Sequence, residues 1–389
     1  MLNMIPSGSD RCVLDVETTT HLTGHPFNKQ NYMVVAGVMW SNADWQDLGH
    51  HFFYNWEELK QALSNVKIIL GSNLKFDLHW LNNVGIFPTA TYRDCQLAEF
   101  LLLNQTQVMP SLNDMALKYL QESKIDVIKT EYWDKGIDTP DIPKDILEQY
   151  LWKDLDLTLR VFKKQEKLLT KENKWNLYKL QCHDLGVLQE IEYNGILYDK
   201  KESQLRASEL SDKIGELKAS IASHTTCPNF NCSSGDHLSC LLYGGTIIDT
   251  VRFPVGVYKT GQKIGQTRYK LVDYEYNHPR LFEPIKGTEL KKEGYWSTEE
   301  STMKSLKTKS KEHKKLIANI LELSKMEKLK STYYEGIPKI METMGWHDDY
   351  LHGQFNQTVT ITGRLSSSKP NMQNFDPMAK QLCISRYVT

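Results

Sequence analysis

The sequence predicts an α/β (α+β) fold, in which a sheet domain over about the first 165 residues precedes a mainly helical part. Three observations support this expectation. Short apolar runs typical of strands alternate with helical patterns in the first part. Long stretches of helical periodicity follow. Residues 244–296 interrupt them with a composition rich in Gly, Tyr, Thr and Val, which predicts a β-containing insertion.

Size and composition set the class of protein. The chain has 389 residues, of which 40% are hydrophobic and 24% are charged, and this length accommodates two or three domains. These values exclude a wholly disordered, collagenous or disulfide-scaffold protein. No apolar run reaches ~18 residues and no signal-peptide core opens the chain. Seven cysteines are ordinary in a reducing compartment. We therefore expect a cytoplasmic protein that does not enter a membrane.

The net charge of −1 conceals an uneven distribution. Residues 1–165 contain 15 Lys and Arg against 21 Asp and Glu, whereas residues 166–389 contain 32 against 27. Residues 301–330 alone contain nine lysines and three acids. An acidic N-terminal part and a basic C-terminal part fit a protein that binds a polyanion and has a carboxylate site, although chance can produce the same distribution.

In the first part, the patterns predict strands and helices in order. Strands are predicted at 11–16, 32–40 and 66–70, and residues 51–54 form the end of another strand that precedes 66–70. Gly71 ends the strand at 66–70. Helices are expected over 57–63, from residue 76, and from Pro143 onward.

The second part is expected to be helical on both sides of the insertion. Residues 174–193 and 203–223 have helical periodicity, and the second stretch aligns Leu210, Ile214, Leu217 and Ile221 on one stripe. Residues 297–300 (STEE) predict a capping box before a Lys-rich helical region that runs to about residue 333. Residues 351–389 are expected to be extended and rich in turns.

Asp15 and Glu17 are the first candidate site residues. They are two apart on a predicted strand, so both side chains face the same side of the sheet. Two converging carboxylates suit a hard cation such as Mg²⁺ or Mn²⁺. The pattern D-x-E by itself is more often an ordinary surface feature.

Further carboxylates recur downstream. Asp77 follows Asn73 and Phe76 at the start of a predicted helix, and Tyr150 and Asp154 are four apart and share a helix face. Taken singly, Asp77 could cap a helix, Asp154 could be a solvated acid, and Tyr150 could be a core aromatic.

Together the series D-x-E, N-x-x-F-D and Y-x-x-x-D resembles the three exonuclease motifs of the DEDD superfamily. Their spacing is similar to that of the proofreading domain of family A (DNA polymerase I-type) DNA polymerases, as are the runs 94–98 and 111–116. The resemblance implies an RNase H-like 3′–5′ exonuclease domain that uses two Mg²⁺ (or Mn²⁺) ions to release 3′-terminal nucleotides.

The same resemblance assigns roles to single residues. Asp15, Glu17 and Asp154 would ligate the ions directly, and Asp77 would hold the second ion through water. Tyr150 would orient the attacking water, because a phenol of pKa ~10 is a poor base at pH 7. Substrate contacts are expected from Asn73 and Phe76, although Asn73 would alternatively fix the loop of Asp77.

Four later stretches resemble the thumb and the start of the palm of the same family: 188–199, 229–243, 325–341 and 357–374, the last containing T-G-R-L-S-S. The resemblance places Lys330 and Thr332 in the thumb, as residues that would bind the DNA substrate. It implies a minor-groove contact at the primer terminus for Arg364 and duplex contacts for Gln373 and Asn374. Lysines between 304 and 330 would meet phosphates, although a solvated helix face explains most of them equally well.

The resulting prediction is the N-terminal portion of a family A DNA polymerase that acts in DNA replication. Its domains would be an exonuclease at 1–166, a thumb at 167–345 with the insertion 244–296, and an incomplete palm at 346–389. The motifs of the fingers and of the palm acids are missing from these 389 residues.

DNA is therefore the expected partner, as a single-stranded 3′ end and as a primer–template duplex. Polymerisation would require a second polypeptide that carries palm and fingers, in a bacterium or a phage-infected host. Two alternatives are a non-catalytic DNA-binding scaffold subunit and a truncated gene product. Cys227, Cys232 and Cys240 invite a zinc interpretation, but their spacing fits no common tetrahedral site.

Overall fold

The computed structural model of the protein describes residues 5–124, 127–346 and 349–385. The chain forms two compact units, Met1–Lys200 with Ile337–Thr389 and Lys201–Gly336. The predicted domain bounds refer to functional modules. They differ from the bounds of these compact units and stay predictions. The one at residue 166 lies inside a continuous helix, Lys144–Lys171.

A five-stranded mixed sheet forms the centre of the first unit. Its strands are β1 (Arg11–Thr18), β2 (Met33–Ser41), β3 (Asp47–Phe53), β4 (Ile68–Gly71) and β5 (Thr91–Asp94). The spatial order is β3-β2-β1-β4-β5, antiparallel from β3 to β1 and parallel from β1 to β5. β1 is therefore central, and most of its residues are buried.

Helices pack around this sheet. They are α1 (Trp56–Leu63), α2 (Leu74–Asn83), α3 (Cys95–Leu102), α4 (Leu112–Leu120), α5 (Val127–Glu131), α6 (Lys144–Lys171) and α7 (Trp175–Asn194). Side-chain caps fix where several of them begin: Asn55 accepts from the N–H of Glu57, and Ser111 forms a capping box with Asp114. Pro143 immediately precedes α6, where its missing N–H costs no helical hydrogen bond.

The second unit combines helices with a long hairpin. The short strand β6 (Ile196–Tyr198) ends the first stretch of the first unit. The second unit then contains α8 (Lys200–Ala222), α9 (Gly235–Tyr243), the paired strands β7 (Gly245–Val257) and β8 (Thr267–His278), α10 (Glu300–Ser305) and α11 (Lys311–Lys328). The predicted stripe on α8 is confirmed, because Ile214 and Ile221 are buried in the core of this unit and Leu210 and Leu217 pack against it. The predicted β structure between 244 and 296 is the β7–β8 hairpin.

The predicted capping box at Ser297 is wrong. Helix α10 begins at Glu300 with Glu299 as its N-cap. The backbone N–H of Ser297 instead donates to the carbonyl of Thr288, which holds Ser297 in an extended segment before the helix. The Lys-rich region is also not one helix, because residues 306–310 separate α10 from α11 and a π-helical turn, Leu329–Tyr334, follows.

The first unit is completed by a segment that returns after the second. It contains α12 (Gly336–Met344), β9 (Tyr350–Leu351), β10 (Gln354–Asn356), β11 (Ser366–Ser368), α13 (Pro377–Lys380) and β12 (Cys383–Ile384). Strands β12, β6 and β9 form a small sheet, and β10 and β11 form a hairpin that encloses residues 357–365. Short strands and turns agree with the extended character predicted for this region.

Candidate exonuclease site

Asp15 and Glu17 are positioned by the central strand. Both lie on β1, where they pair with Gly37 and Val35 of β2. A Cβ atom at Gly37 would lie 2.8 Å from Leu151 Cγ of α6. The glycine therefore permits a close approach of α6 to the sheet at the level of Asp15.

Helix α6 brings the third carboxylate to the same place. Tyr150 and Asp154 lie one turn apart on its buried face, with 9% and 4% of their surfaces exposed. Carboxylate oxygens of Asp15, Glu17 and Asp154 all lie within 4.8 Å of one another. In the described part of the chain, this is the one group of three metal-ligating side chains that converge.

Asp77 lies beside this group rather than in it. Its Oδ1 accepts a hydrogen bond of 3.1 Å from the backbone N–H of Val16, the residue between Asp15 and Glu17. Burial, and then the charge of Asp15, raises the pKa of Asp77 well above its ordinary value.

Asp94 fixes the turn that leads to Asp77, a role that sequence reasoning missed. It is fully buried, and its two oxygens accept from the N–H groups of Leu74 (2.7 Å) and Leu97 (2.9 Å). Asn73, at the start of α2, adopts a left-handed conformation with φ of 63°. The run at 94–98 resembles the family in sequence, and in the structure its buried acid ties α2 to α3.

Lys124 is a second residue that sequence reasoning missed. Its ammonium forms an ion pair with Asp154 Oδ2 and lies 5.2 Å from the centre of the Tyr150 ring. The backbone N–H of Lys124 donates to Asn113 Oδ1 at 3.0 Å, which anchors the segment after α4. No spacing rule links residue 124 to the motifs, so the sequence carried no signal for it.

Burial and mutual repulsion make these acids reluctant to ionise. Burial, and then the charge of Asp154, raises the pKa of Asp15 to about 7, although Lys124 opposes the shift. Burial and Asp15 raise the pKa of Glu17 well above its usual value. Burial also raises the pKa of Asp154, against the opposite effects of Lys124 and Tyr150. Carboxylates that repel one another in this way are stabilised by a cation.

The residues fit a divalent ion. The donors are all carboxylate oxygens, which magnesium and manganese prefer. Asp154 Oδ1 is buried and lacks a hydrogen-bond partner among the described residues, so one lone pair is available to an ion. The three cysteines of the zinc interpretation belong to two hydrophobic clusters. Cys232 packs in the core of the second unit, whereas Cys227 and Cys240 pack around Ile247.

The predicted substrate-binding residues lie in different places. In the first unit, Asn73 is exposed at the start of α2, and Phe76 is half-buried against Trp80. Exposed Arg364 lies in the loop between β10 and β11, and the exposed Gln373 and Asn374 lie in the turn before α13.

Two more of these residues belong to the second unit. Lys330 and Thr332 lie in the π-helical turn, where Lys330 pairs with Glu335 at 3.4 Å and Thr332 is exposed. The structure thus brings together Asp15, Glu17, Asp154 and Tyr150, with Asp77 beside them. It distributes the predicted DNA contacts over both units.

A buried ion-pair network lies behind Asp77. Lys75 Nζ is 2.6 Å from Glu192 Oε1 of α7, and His79 Nε2 is 2.9 Å from Glu192 Oε2. Glu192 Oε1 also accepts from the N–H of Phe355 on β10, whose carbonyl accepts from Lys75. Helix α2 is thereby bonded to α7 and to the base of the loop that carries Arg364.

Among the helices of the described ranges, none is both long and apolar enough to cross a membrane.

Family models match two parts of the chain. The model described as 3′-5′ exonuclease matches residues 15–171, and that of DNA polymerase family A matches residues 276–383. The first match includes all the predicted exonuclease acids. It confirms the predicted enzyme class, a 3′–5′ exonuclease.

Curated relatives agree with these matches. DNA polymerase I of Borreliella burgdorferi is 28% identical over 321 residues, which cover 80% of this chain and 29% of that protein. DNA polymerase I of Synechocystis is 28% identical over 308 residues, covering 78% of this chain and 26% of that protein. The chain thus spans less than a third of the length of these relatives. Because they are single longer chains, a separate polypeptide with palm and fingers is not supported.

A solved structure supports the fold. The POL domain of Pol1 from M. smegmatis, in complex with DNA primer-template and dNTP, superposes with a TM-score of 0.64 at 17% identity. The match covers 96% of this chain and 54% of that one. This likeness confirms the predicted α/β fold class. The two family matches and the relatives confirm the predicted resemblance, which is to the N-terminal part of a family A DNA polymerase with a 3′–5′ exonuclease domain.

Proposed function

We propose that the protein removes 3′-terminal nucleotides from DNA with the help of two divalent ions, Mg²⁺ or Mn²⁺, and so proofreads during DNA replication. The observation that carries this proposal is the convergence of carboxylate oxygens from Asp15, Glu17 and Asp154 within 4.8 Å. Asp15, Glu17 and Asp154 would ligate the ions directly, and Asp77 would assist through water from its place beside them. When bound, such ions activate the attacking water and neutralise the charge on the departing 3′ oxygen.

Tyr150 would orient the attacking water. Burial, and then the charge of Asp154, raises the pKa of its hydroxyl above its usual value, although Lys124 opposes this shift. The hydroxyl therefore stays protonated at pH 7, so it can hold a water molecule by hydrogen bonding but cannot remove its proton.

Further residues would bind the DNA itself. Asn73 and Phe76 lie just before Asp77 in sequence and would contact the 3′-terminal nucleotide. Arg364, Gln373 and Asn374 in the first unit would contact a primer–template duplex. In the second unit, Lys330 and Thr332 would do the same, as parts of the thumb.

The test is nucleotide release from 5′-labelled single-stranded DNA in Mg²⁺. The double variant Asp15→Asn/Glu17→Gln removes two ligand charges, worth several kcal/mol in the transition state, so the rate should fall ~100-fold or more. Asp156→Asn is the control, because Asp156 lies on α6 near Asp154 but pairs with Arg160 at 2.9 Å. An unchanged rate in the double variant contradicts the site. A wild-type protein that binds DNA without cleaving it indicates a scaffold instead.

A further inference from the structure

The outer half of the β7–β8 hairpin is strongly basic. Residues 250–270 contain five basic side chains and no acid. The basic side chains are Arg252, Lys259, Lys263, Arg268 and Lys270, all exposed. None of them forms an ion pair with a carboxylate in the ranges that the structure describes. The acids of the hairpin lie nearer its base, at Asp249, Asp273 and Glu275.

Exposed aromatic rings accompany these charges. The exposed fractions are 42% for Phe253, 36% for Tyr258 and 53% for Tyr269. Such exposure is uncommon for large rings on a strand that packs against a core, and it leaves their faces available for stacking. Because the rings occur beside cations, the surface is amphipathic rather than simply apolar.

The strand register distributes cations and rings to both faces of the hairpin. Phe253 lies directly opposite Lys270, so they share one face. Pro254 lies opposite Tyr269, and these two share the other face with Arg252, two residues from Pro254. The irregularity between Pro254 and Gly256 adds local twist at this level.

We propose that the outer half of this hairpin, residues 250–270, binds single-stranded DNA. Unpaired lysine and arginine side chains match the phosphodiester backbone, and exposed rings match unstacked bases, which duplex DNA does not offer. The inference rests on the proposed function only in taking the nucleic acid to be DNA. A protein partner would be expected to require a more continuous apolar face with fewer charges.

The charge contribution is tested by the salt dependence of binding. Fluorescence anisotropy of a labelled 30-residue oligo-dT, in EDTA to prevent cleavage, gives the slope of log K against log salt. For Lys259→Gln/Lys263→Gln/Arg268→Gln, the slope should be smaller by about 2, since each phosphate neutralised on a single strand contributes ~0.7. The matched control is Lys213→Gln/Lys286→Gln/Lys291→Gln, three exposed lysines of the same unit, which should keep the wild-type slope.

The stacking contribution is tested separately. Phe253→Ala/Tyr269→Ala should weaken binding about tenfold or more while the slope stays unchanged, because no phosphate contact is lost. All substituted side chains are exposed, and circular dichroism checks that each variant is folded. Wild-type slope and affinity in the basic variant would overturn the proposal, as would an equal loss of slope in the control.

The outcome is independent of the exonuclease. In Mg²⁺, the hairpin variants should degrade a six-residue single strand at the wild-type rate, because the acids are untouched. If the wild-type protein releases no nucleotide, the proposed exonuclease function fails, while the anisotropy comparison still decides whether the hairpin binds DNA.

Discussion

Lys124 places a positive charge among buried carboxyl groups. It pairs with Asp154, and its charge also acts on Asp15 and Glu17. An ammonium in this position reduces the repulsion among the acids in the absence of an ion, and it competes with any ion that binds them.

Replacement of Lys124 should therefore have opposite effects on stability and on ion binding. We expect Lys124→Met to lower the melting temperature in EDTA and to tighten Mn²⁺ binding about tenfold, because the competing cation is lost. Isothermal titration calorimetry and thermal unfolding measure the two effects. Lys124→Arg keeps the charge and should resemble the wild type, as should Lys129→Met, whose exposed partner is Asp134. Equal Mn²⁺ affinity in all four proteins would show that Lys124 does not compete with the ion.

At this scale the sequence predicted the acids but not their environment. Asp15, Glu17, Tyr150 and Asp154 could be found because the periods of strand and helix decide which side chains share a face. Lys124 could not, because its position depends on how the segment after α4 folds back onto α6.

At the scale of elements, Glu192 connects the exonuclease helix α2 with the β10–β11 hairpin. It is buried, and burial alone would raise its pKa, but His79 and Lys75 together hold the pKa below its usual value. The loop within the hairpin is fixed further by Thr358, whose hydroxyl donates to Gln96 Oε1 of α3 at 3.3 Å. Movements of α2 and of the loop should therefore be coupled.

We expect Glu192→Gln to reduce the kcat of nucleotide release about tenfold with a smaller change in KM, because Lys75 and His79 lose their partner and Asp77 is less well positioned. Glu190→Gln, on the exposed side of the same helix, is the control and should behave as wild type. A wild-type kcat in Glu192→Gln would contradict this role.

A second test measures stability. The double variant Lys75→Met/Glu192→Met should lose less stability than the sum of the two single changes, since no charge is left buried and unpaired. Additive losses would contradict the coupling between Lys75 and Glu192.

The elements themselves were largely predictable. The strands and helices predicted before residue 200 appear within a few residues of their expected bounds, because apolar periodicity and Gly or Pro punctuation determine them locally. Strand β5 and helices α3, α4 and α5 were not predicted. The capping box predicted at residues 297–300 was wrong because a serine followed by Glu three positions later is only a local signal. In the structure the backbone N–H of Ser297 donates to the carbonyl of Thr288 instead. The network around Glu192 joins residues more than 100 positions apart, and local patterns do not report such contacts.

At the scale of the whole molecule, the two compact units should respond differently to ions. The converging acids all belong to the first unit. An ion that binds only the folded form stabilises that unit, by ~2.7 kcal/mol at a concentration 100 times its Kd. Units that unfold separately give separate transitions.

Differential scanning calorimetry should therefore show one transition that rises with Mn²⁺ and one that does not. The rise should be larger at pH 8 than at pH 6: protons compete with the ion, and the pKa of Asp15 is raised to about 7 by burial and by Asp154, so acid favours the protonated form. Asp15→Asn should abolish most of the rise. Two transitions that move equally, or a larger rise at pH 6, would contradict the assignment.

The first unit is discontinuous, and this has a consequence for how the chain is synthesised. Its five-stranded sheet and helices α1 to α7 are complete at Lys200, but β10, which bonds to Lys75 and Glu192, is translated only after the entire second unit. At ~5–20 residues per second, the ribosome needs roughly 8–30 s to travel from residue 200 to residue 355. During that interval, Glu192 lacks the hydrogen bond from the N–H of Phe355. The second unit is a single continuous segment and can already fold as it emerges. The bonds from β10 that fix α2 and α7 can therefore form only after residue 355 has been synthesised.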